Sequence, residues 1–239
     1  MADSDPLQQP HTMPTASRPL LGLTILVVED SRYASETMRL LCLRSGARIR
    51  RADCLKSARR HLQVYRPSAV IVDLGLPDGS GLDLISELNR AAPRVGILLA
   101  TSGDDNAEQA AMAAGADDFL AKPITSLALF QSVIIGRLPP ERRPFTLHPV
   151  SEVVVEPDPI ALQDDLAHVA DVLSADTEGG TLDYLAQFIG GIARSVDDTP
   201  LAEAADNLAK SRRDGTPVGP ATALIAGLVN ERLQQRKAI

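Results

Sequence analysis

The segment at residues 23–31 is the feature that most constrains the fold of this chain. An uninterrupted apolar run, rich in β-branched residues, ends in two adjacent carboxylates, Glu29 and Asp30, followed by Ser31. Such a run predicts a buried strand, and a serine is a preferred N-cap for a following helix. In an open α/β sheet, ligands bind at the C-terminal ends of the strands. Taken alone, the acid pair also fits a solvated turn or a helix N-terminus.

Three further apolar runs in the first half of the chain also end in polar side chains. Apolar residues at helical spacing separate these runs, so a β-α unit repeats about five times. Strands without a polar face predict a parallel sheet that helices cover on both sides. Because the C-terminal ends of parallel strands meet at one edge, we expect the polar groups to share one pocket. These groups are Glu29, Asp30, Asp73, Thr101 and Lys122.

The predicted pocket suits phosphoryl chemistry. Three carboxylates in one place repel one another unless a cation neutralises them, and an all-oxygen cluster favours Mg²⁺. A lysine and a hydroxyl on the opposite side can hold the oxygens of a phosphoryl group. Asp73 follows the predicted central strand, between the acid pair and the Thr/Lys side. It is therefore the best nucleophile, and the predicted product is an aspartyl phosphate.

Four separated motifs, in order, resemble those of a response-regulator receiver domain of bacterial two-component signalling. They read Val-Val-Glu-Asp-Ser, Val-Asp-Leu-Gly-Leu-Pro-Asp-Gly-Ser-Gly, Ala-Thr-Ser-Gly and Asp-Phe-Leu-Ala-Lys-Pro, and they lie within residues 21–138. The resemblance implies a doubly wound, flavodoxin-like sheet of five parallel strands in the order 2-1-3-4-5. It also implies that a histidine kinase or a phosphotransfer protein phosphorylates Asp73.

The same resemblance assigns the metal ligands. Asp30, Asp73 and the backbone carbonyl of Gly75 would bind Mg²⁺ directly, and Glu29 would act through water. Gly75 and Gly103 stand where members of the family often carry polar side chains that position hydrolytic water. We therefore expect slow self-dephosphorylation. We expect no enzymatic activity beyond self-phosphorylation and self-dephosphorylation.

The resemblance further implies that Lys122 and Thr101 contact the phosphoryl oxygens and that Phe119 is a switch aromatic which turns inward as Thr101 moves. It implies a cis bond between Lys122 and Pro123. Each residue also has a simpler structural interpretation. Thr101 and Ser102 could cap the next helix, Phe119 could be only a core aromatic, and Lys122 could be a surface lysine.

The remaining segments predict a tail, a linker and a second domain. Residues 1–20 are expected to form a disordered tail, and the proline-rich residues 139–159 a linker with a short strand at 153–155. Four amphipathic helices are predicted within residues 160–239, which form a small all-α domain if they share their apolar faces. Residues 1–139 hold 15 basic and 15 acidic side chains, so the net charge of −7 resides in the second part.

The output of the helical domain has three interpretations. We expect a protein-interaction or dimerisation module that acts on a protein partner or on a second copy of the chain. A transcription regulator could instead read DNA with the last two helices, although the acidic charge opposes contact with phosphates, so we do not expect nucleic acid as a partner. A phosphorelay intermediate could use His168, although Asp171 and Val172 stand where phosphotransfer families carry lysine and glycine.

From the composition, we expect the chain to be cytoplasmic. It has no apolar run of membrane-spanning length, and its two cysteines are too few for a disulfide framework. We expect no membrane partner.

Overall fold

A computed structural model describes residues 13–104, 106–144, 153–175 and 179–235 of the chain. The first half folds as an α/β domain and the second as a bundle of helices. The main sheet contains β1 (Thr24–Val28), β2 (Arg48–Ala52), β3 (Ala69–Asp73), β6 (Ile97–Ser102) and β7 (Asp118–Ala121). A two-residue hairpin, β4 (Gly75–Leu76) and β5 (Gly79–Ser80), follows β3.

The sheet is parallel throughout, in the order β2-β1-β3-β6-β7. With the small hairpin left out of the count, this is the predicted order 2-1-3-4-5, so the predicted fold class is confirmed. The helices of this half are α1 (Arg32–Ser45), α2 (Leu55–Val64), α3 (Gly81–Arg90), α4 (Ala107–Ala114) and α5 (Leu127–Arg137).

Two apolar cores lie on opposite faces of the sheet. Because successive side chains of a strand point to opposite faces, Ile25 and Val27 pack with α1 and α5, whereas Leu26 and Val28 pack with α2, α3 and α4. Phe130 on α5 is fully buried in the first core. Burial of each such side chain contributes about 1.5–3 kcal/mol, which is why strands without a polar face lie inside the domain.

The segment before the sheet is ordered over its last residues, which differs from the tail expected over residues 1–20. Leu20 is fully buried in the core beneath α1, and its amide donates to the Ser45 carbonyl. Arg18 and Thr15 exchange backbone hydrogen bonds in a turn. An apolar side chain with a place in the core holds these residues. Residues 1–12 lie outside the described part of the chain.

The end of the expected linker is attached to the α/β domain. Val154 forms a single antiparallel bridge with Ser126 in place of the short strand expected at 153–155, and Val155 is fully buried in the core beneath α5. The amide of Val155 donates to the Thr125 carbonyl at 2.9 Å. A 3₁₀ turn at Pro140–Arg142 begins the linker, and residues 145–152 lie outside the described residues.

Four helices follow, as predicted: α6 (Pro159–Ser174), α7 (Gly179–Ser195), α8 (Thr199–Asp214) and α9 (Gly219–Gln235). We call residues 159–235 the helical module. Its helices share one apolar core, which includes Val169, Leu185, Leu208 and Val229. The module also lies against the α/β domain, where α6 and α7 contact α1 and α7 contacts β4.

Candidate functional site

Strand register explains why the predicted polar residues meet at one edge of the sheet. Val28 lies opposite Val72, so the residues that follow them, Glu29 and Asp73, are neighbours. Asp73 itself lies opposite Thr101 on β6. The carboxylate oxygens that Glu29, Asp30 and Asp73 offer all lie within 4.8 Å of one another. The structure therefore brings the three acids together as the sequence predicted.

Lys122 completes this cluster from the end of β7. Its Nζ lies 2.7 Å from Oε2 of Glu29 and 3.0 Å from Oδ2 of Asp73, and the side chain is 9% exposed. Burial opposes its charge, but the Asp73 and Glu29 carboxylates outweigh that effect and raise the pKa of Lys122. The bond from Lys122 to Pro123 is cis, as expected. Lys122 is thus a buried cation within the acid cluster and not a surface lysine.

Three acids of the cluster face a single lysine, and burial disfavours their charged forms. Burial raises the pKa of Glu29 and of Asp30 above the usual range of carboxylic acids, and the nearby Asp73 adds to both shifts. Oδ1 of Asp30 is buried without a hydrogen-bond partner among the described residues. An orphaned carboxylate oxygen within a set of oxygen donors fits a hard divalent cation such as Mg²⁺. Zinc, which favours nitrogen and sulfur, fits this set less well.

Thr101 and Ser102 lie at the edge but do not cap the next helix. The Thr101 hydroxyl donates to the Leu120 carbonyl at 2.7 Å, so in this state it bonds to the neighbouring strand. The Ser102 hydroxyl accepts from the Asp104 amide, whereas α4 begins after Asn106. Phe119 on β7 is half-buried and packs against the core beneath α4. The switch role of Thr101 and Phe119 stays a prediction.

Two glycines shape the loop after β3. A Cβ atom on Gly81 would lie only 2.0 Å from the Asp73 carbonyl oxygen, so the start of α3 can approach β3 only without a side chain there. Gly75, the predicted carbonyl ligand, lines a cavity together with Asp73 and Lys122. The role of its carbonyl stays a prediction.

Sequence reasoning missed the residues that the helical module contributes to this edge. Tyr184 on α7 donates from its hydroxyl to Oδ2 of Asp30 at 2.6 Å. Burial and the Asp30 carboxylate raise the pKa of Tyr184, so it remains a donor. A tyrosine in a predicted amphipathic helix gives no sequence signal of such a contact. Only the packing of two domains brings residues 30 and 184 together.

Asp165 on α6 is the second missed residue, and it binds the start of α1. One carboxylate oxygen accepts from the Ser31 hydroxyl at 2.8 Å and the Tyr33 amide at 3.0 Å, and the other accepts from the Arg32 amide at 2.8 Å. Burial raises the pKa of Asp165, and these three hydrogen bonds oppose the rise. The sequence signal is a charged residue next to the apolar stripe of α6, and the structure shows that this residue is only 2% exposed.

Gln187 and Gly191 on α7 close the edge above Asp73. A Cβ atom on Gly75 would lie 2.4–2.8 Å from the Gln187 side-chain amide, and one on Gly103 would lie 3.4 Å from the Gly191 Cα. The cavity that remains between α7 and Asp73 measures about 20 Å³. This is room for about one water molecule. The structure therefore places Asp73 under α7.

The other side of the acid cluster is open. A cleft of about 950 Å³ extends from Asp30 past Tyr184 to His168 on α6. His168 is exposed, as expected, and its ring contacts the edge of Phe188 with centroids 5.7 Å apart. His168 therefore lies at the rim of the cleft.

Comparison with known proteins identifies the α/β domain. A family model described as the response regulator receiver domain matches residues 25–134. A response regulator receiver domain from Methylobacillus flagellatus has 28% sequence identity and a TM-score of 0.45, and the match covers 48% of this chain and 98% of that structure.

Several curated relatives are transcriptional regulators by name. The KDP operon transcriptional regulatory protein KdpE of Escherichia coli is 33% identical over 99 residues, which are 41% of this chain and 44% of the relative. The probable transcriptional regulatory protein TcrX of Mycobacterium tuberculosis is 34% identical over 104 residues, 43% of this chain and 44% of the relative. The chain thus matches less than half the length of these two proteins. A longer match, 29% identical over 172 residues, covers 68% of the chain and 72% of the transcriptional regulatory protein KdpE of M. tuberculosis.

Proposed function

Because residues 25–134 are a response regulator receiver domain, we propose that the chain is a two-component response regulator whose phosphoacceptor is Asp73. The observation that carries this proposal is the Lys122 ammonium between Glu29 and Asp73, inside a cluster of three acids. The phosphodonor is a histidine kinase or a histidine phosphotransfer protein.

The residues of the edge divide the chemistry among themselves. An Asp73 oxygen attacks the phosphorus of a phosphohistidine, the new P–O bond forms, and the electrons of the broken P–N bond return to the imidazole. Lys122 then pairs with the phosphoryl oxygens, and Thr101 leaves the Leu120 carbonyl to donate to one of them. Asp30, Asp73 and the Gly75 carbonyl would hold Mg²⁺, with Glu29 acting through water, and the ion would supply charge neutralisation for the transferred group.

The signal passes to the surface through Thr101 and Phe119. Movement of the Thr101 hydroxyl frees space beside β7, and inward rotation of Phe119 changes the face formed by α4, β7 and α5. The linker follows α5 directly. Output through contacts of the helical module with a protein partner or a second copy suits the acidic composition of the second half. The activities of the chain are self-phosphorylation and slow self-dephosphorylation.

The test is transfer of a phosphoryl group to the purified chain from phosphoramidate in the presence of Mg²⁺, followed by intact mass. One phosphoryl group per chain is expected, and Asp73→Asn abolishes the gain. Asp83→Asn, which alters an exposed acid of the same domain, is the matched control and retains it. Equal labelling of the Asp73→Asn variant would overturn the proposal. Loss of the label within seconds would contradict slow self-dephosphorylation.

A second candidate function is transcriptional regulation through DNA binding, and the names of the relatives favour it. The structure gives this candidate a difficulty, because Arg212 and Arg232 on the last two helices pair with Asp183 and Asp198. Binding of the beryllofluoride-treated chain to genomic DNA fragments, measured from 50 to 200 mM salt, decides between the two. A steep loss of affinity with salt would favour the regulator.

A further inference from the structure

The helical module contacts the phosphoacceptor edge with one defined surface. We call this surface the docking face and define it by Asp165 on α6 and by Tyr184, Gln187 and Gly191 on α7. Its four residues reach four different features of the edge: the N-terminus of α1, the Asp30 carboxylate, Gly75 and Gly103. The face therefore fits the whole edge and not a single side chain.

The polar contacts of the docking face are matched in charge and direction. Asp165 presents a carboxylate to the amides of Arg32 and Tyr33, at a helix N-terminus that favours negative charge. Tyr184 presents a hydroxyl donor to the Asp30 carboxylate of the acid cluster. Hydrogen bonds in which one partner is ionised are shorter and stronger than neutral ones.

α7 lies close to two receiver positions that lack side chains. A Cβ atom on Gly75 would overlap the Gln187 amide, which is the end of a flexible side chain, and one on Gly103 would be in ordinary van der Waals contact with the Gly191 backbone. At these two positions, members of the family often carry polar side chains, whereas this chain has glycine. Both glycines leave room for α7 above Asp73.

The docking face also takes the space that a phosphodonor needs. A phosphorylated imidazole must bring its phosphorus to the Asp73 carboxylate, yet the cavity of about 20 Å³ holds about one water molecule. Gln187 lines this cavity, and its neutral amide neither carries nor accepts a phosphoryl group. Tyr184 meanwhile holds the Asp30 oxygen Oδ2, which belongs to the acid cluster.

We propose that the docking face is a receiver-binding surface that covers the edge of its own receiver domain, so that docking of α7 and phosphorylation of Asp73 exclude each other. The inference rests on the proposed function, because it takes Asp73 as the phosphoacceptor. The partner of the docking face is an unphosphorylated receiver edge with an uncovered α1 N-terminus and with glycine at positions 75 and 103. Phosphorylation keeps the docking face uncovered and therefore available to an output partner.

The first experiment inserts a wedge between α7 and Asp73. Gly191 lines the cavity, and a Cβ atom there would meet no other atom within 4 Å, so we expect the large ring of Gly191→Trp to occupy the contact and separate the two surfaces. We expect the rate of labelling by phosphoramidate in the full chain to rise at least about tenfold, because the competent population limits the rate. Gly227→Trp, at an exposed glycine with open space on α9, is the matched control and leaves the rate unchanged.

The second experiment measures docking without phosphorylation. Gly103→Cys with Gly191→Cys, in a Cys54→Ser background, places one thiol on each side of the contact, where a Cβ atom on residue 103 would lie 3.4 Å from the Gly191 Cα. Rapid oxidation within one chain, and at least about tenfold slower labelling until a reductant is added, support the proposal. Cross-linking only between chains, or unchanged labelling of the oxidised chain, overturns it.

The outcomes separate the inference from the function on which it rests. If Asp73→Asn abolishes labelling while the wedge and the cross-link leave the rate unchanged, the receiver function stands and the docking inference fails. If Asp73→Asn is labelled like the parent chain, the proposed function fails, whereas cross-linking within one chain still establishes the docking contact.

Discussion

The receiver domain and the helical module use charge in opposite ways. The receiver concentrates three acids and a lysine at one edge of a sheet, where burial makes their charge costly and chemically useful. The module places one acid and one hydroxyl on its surface, where they match that edge. The sheet edge thus holds the buried charges, and the surface of the module holds the groups that cover them.

The largest expected effect is on stability, and it compares a buried with an exposed side chain of α5. Phe130→Ala removes a fully buried ring and lowers the free energy of unfolding by about 3–5 kcal/mol, since it leaves a cavity in the core. Thermal and urea unfolding measure the loss. Leu129→Ala, at a neighbouring side chain that is 49% exposed, is the control. A comparable loss in both variants would contradict the assignment of Phe130 to the core.

The next effect compares two neighbouring acids of α6, one hydrogen-bonded to the start of α1 and one exposed to solvent. Asp165→Ala removes three hydrogen bonds to the start of α1 and weakens docking by about 1.5–3 kcal/mol. Hydrogen exchange at the Arg32 and Tyr33 amides then accelerates about 10- to 100-fold. Asp164→Ala, which removes only an exposed ion pair with Arg32, changes exchange little. Equal effects from the two substitutions would contradict the role of Asp165.

A smaller effect concerns an ion pair that acts inside the module alone. The hydrogen bonds from Arg232 lower the pKa of Asp198. The pair therefore stabilises the module fully at pH values above the usual pKa of an aspartate. This stabilisation is lost as the pH falls through that lowered pKa. Arg232→Ala therefore costs about 1–2 kcal/mol at neutral pH and less in acid, as unfolding monitored by circular dichroism measures.

The exposed pair of Arg212 and Asp183 supplies the control for that prediction. Arg212→Ala changes the free energy of unfolding little, because water screens the interaction. A cost of Arg232→Ala that does not change between neutral and acidic pH would contradict the assigned pair.

The smallest effect tests whether the two regions compete for Asp30. Tyr184→Phe frees the carboxylate oxygen Oδ2 and keeps the ring, so the affinity for Mg²⁺ alone rises about fivefold, the equivalent of one hydrogen bond. Isothermal titration calorimetry measures it. Tyr65→Phe, at a tyrosine directly after α2 whose hydroxyl lacks a partner among the described residues, leaves the affinity unchanged. Unchanged affinity in both variants would contradict the competition.

Most of the receiver domain could be predicted from the sequence, but little of the contact between the two domains could. Apolar runs that end in Glu29, Asp73 and Lys122 predict both the strands and their shared edge, because parallel strands align their ends. The stripe of α6 likewise predicts a helix. No local pattern specifies which polar face of a helix meets another domain, so Tyr184 and Gln187 emerged only from the tertiary packing. In the sequence, Gly75 and Gly103 indicate only the lack of polar side chains that position water. The structure shows that α7 lies against both glycines.

Val155 gives the module a short tether. This residue is fully buried in the receiver core, and α6 begins at Pro159. The residues between them span roughly 10–14 Å when extended, so a released module remains in the immediate neighbourhood of the edge. Its effective concentration there is on the order of millimolar, whatever the concentration of the protein. The balance between the covered and uncovered states is then a property of each single molecule, and recovery after loss of the phosphoryl group needs no diffusional search.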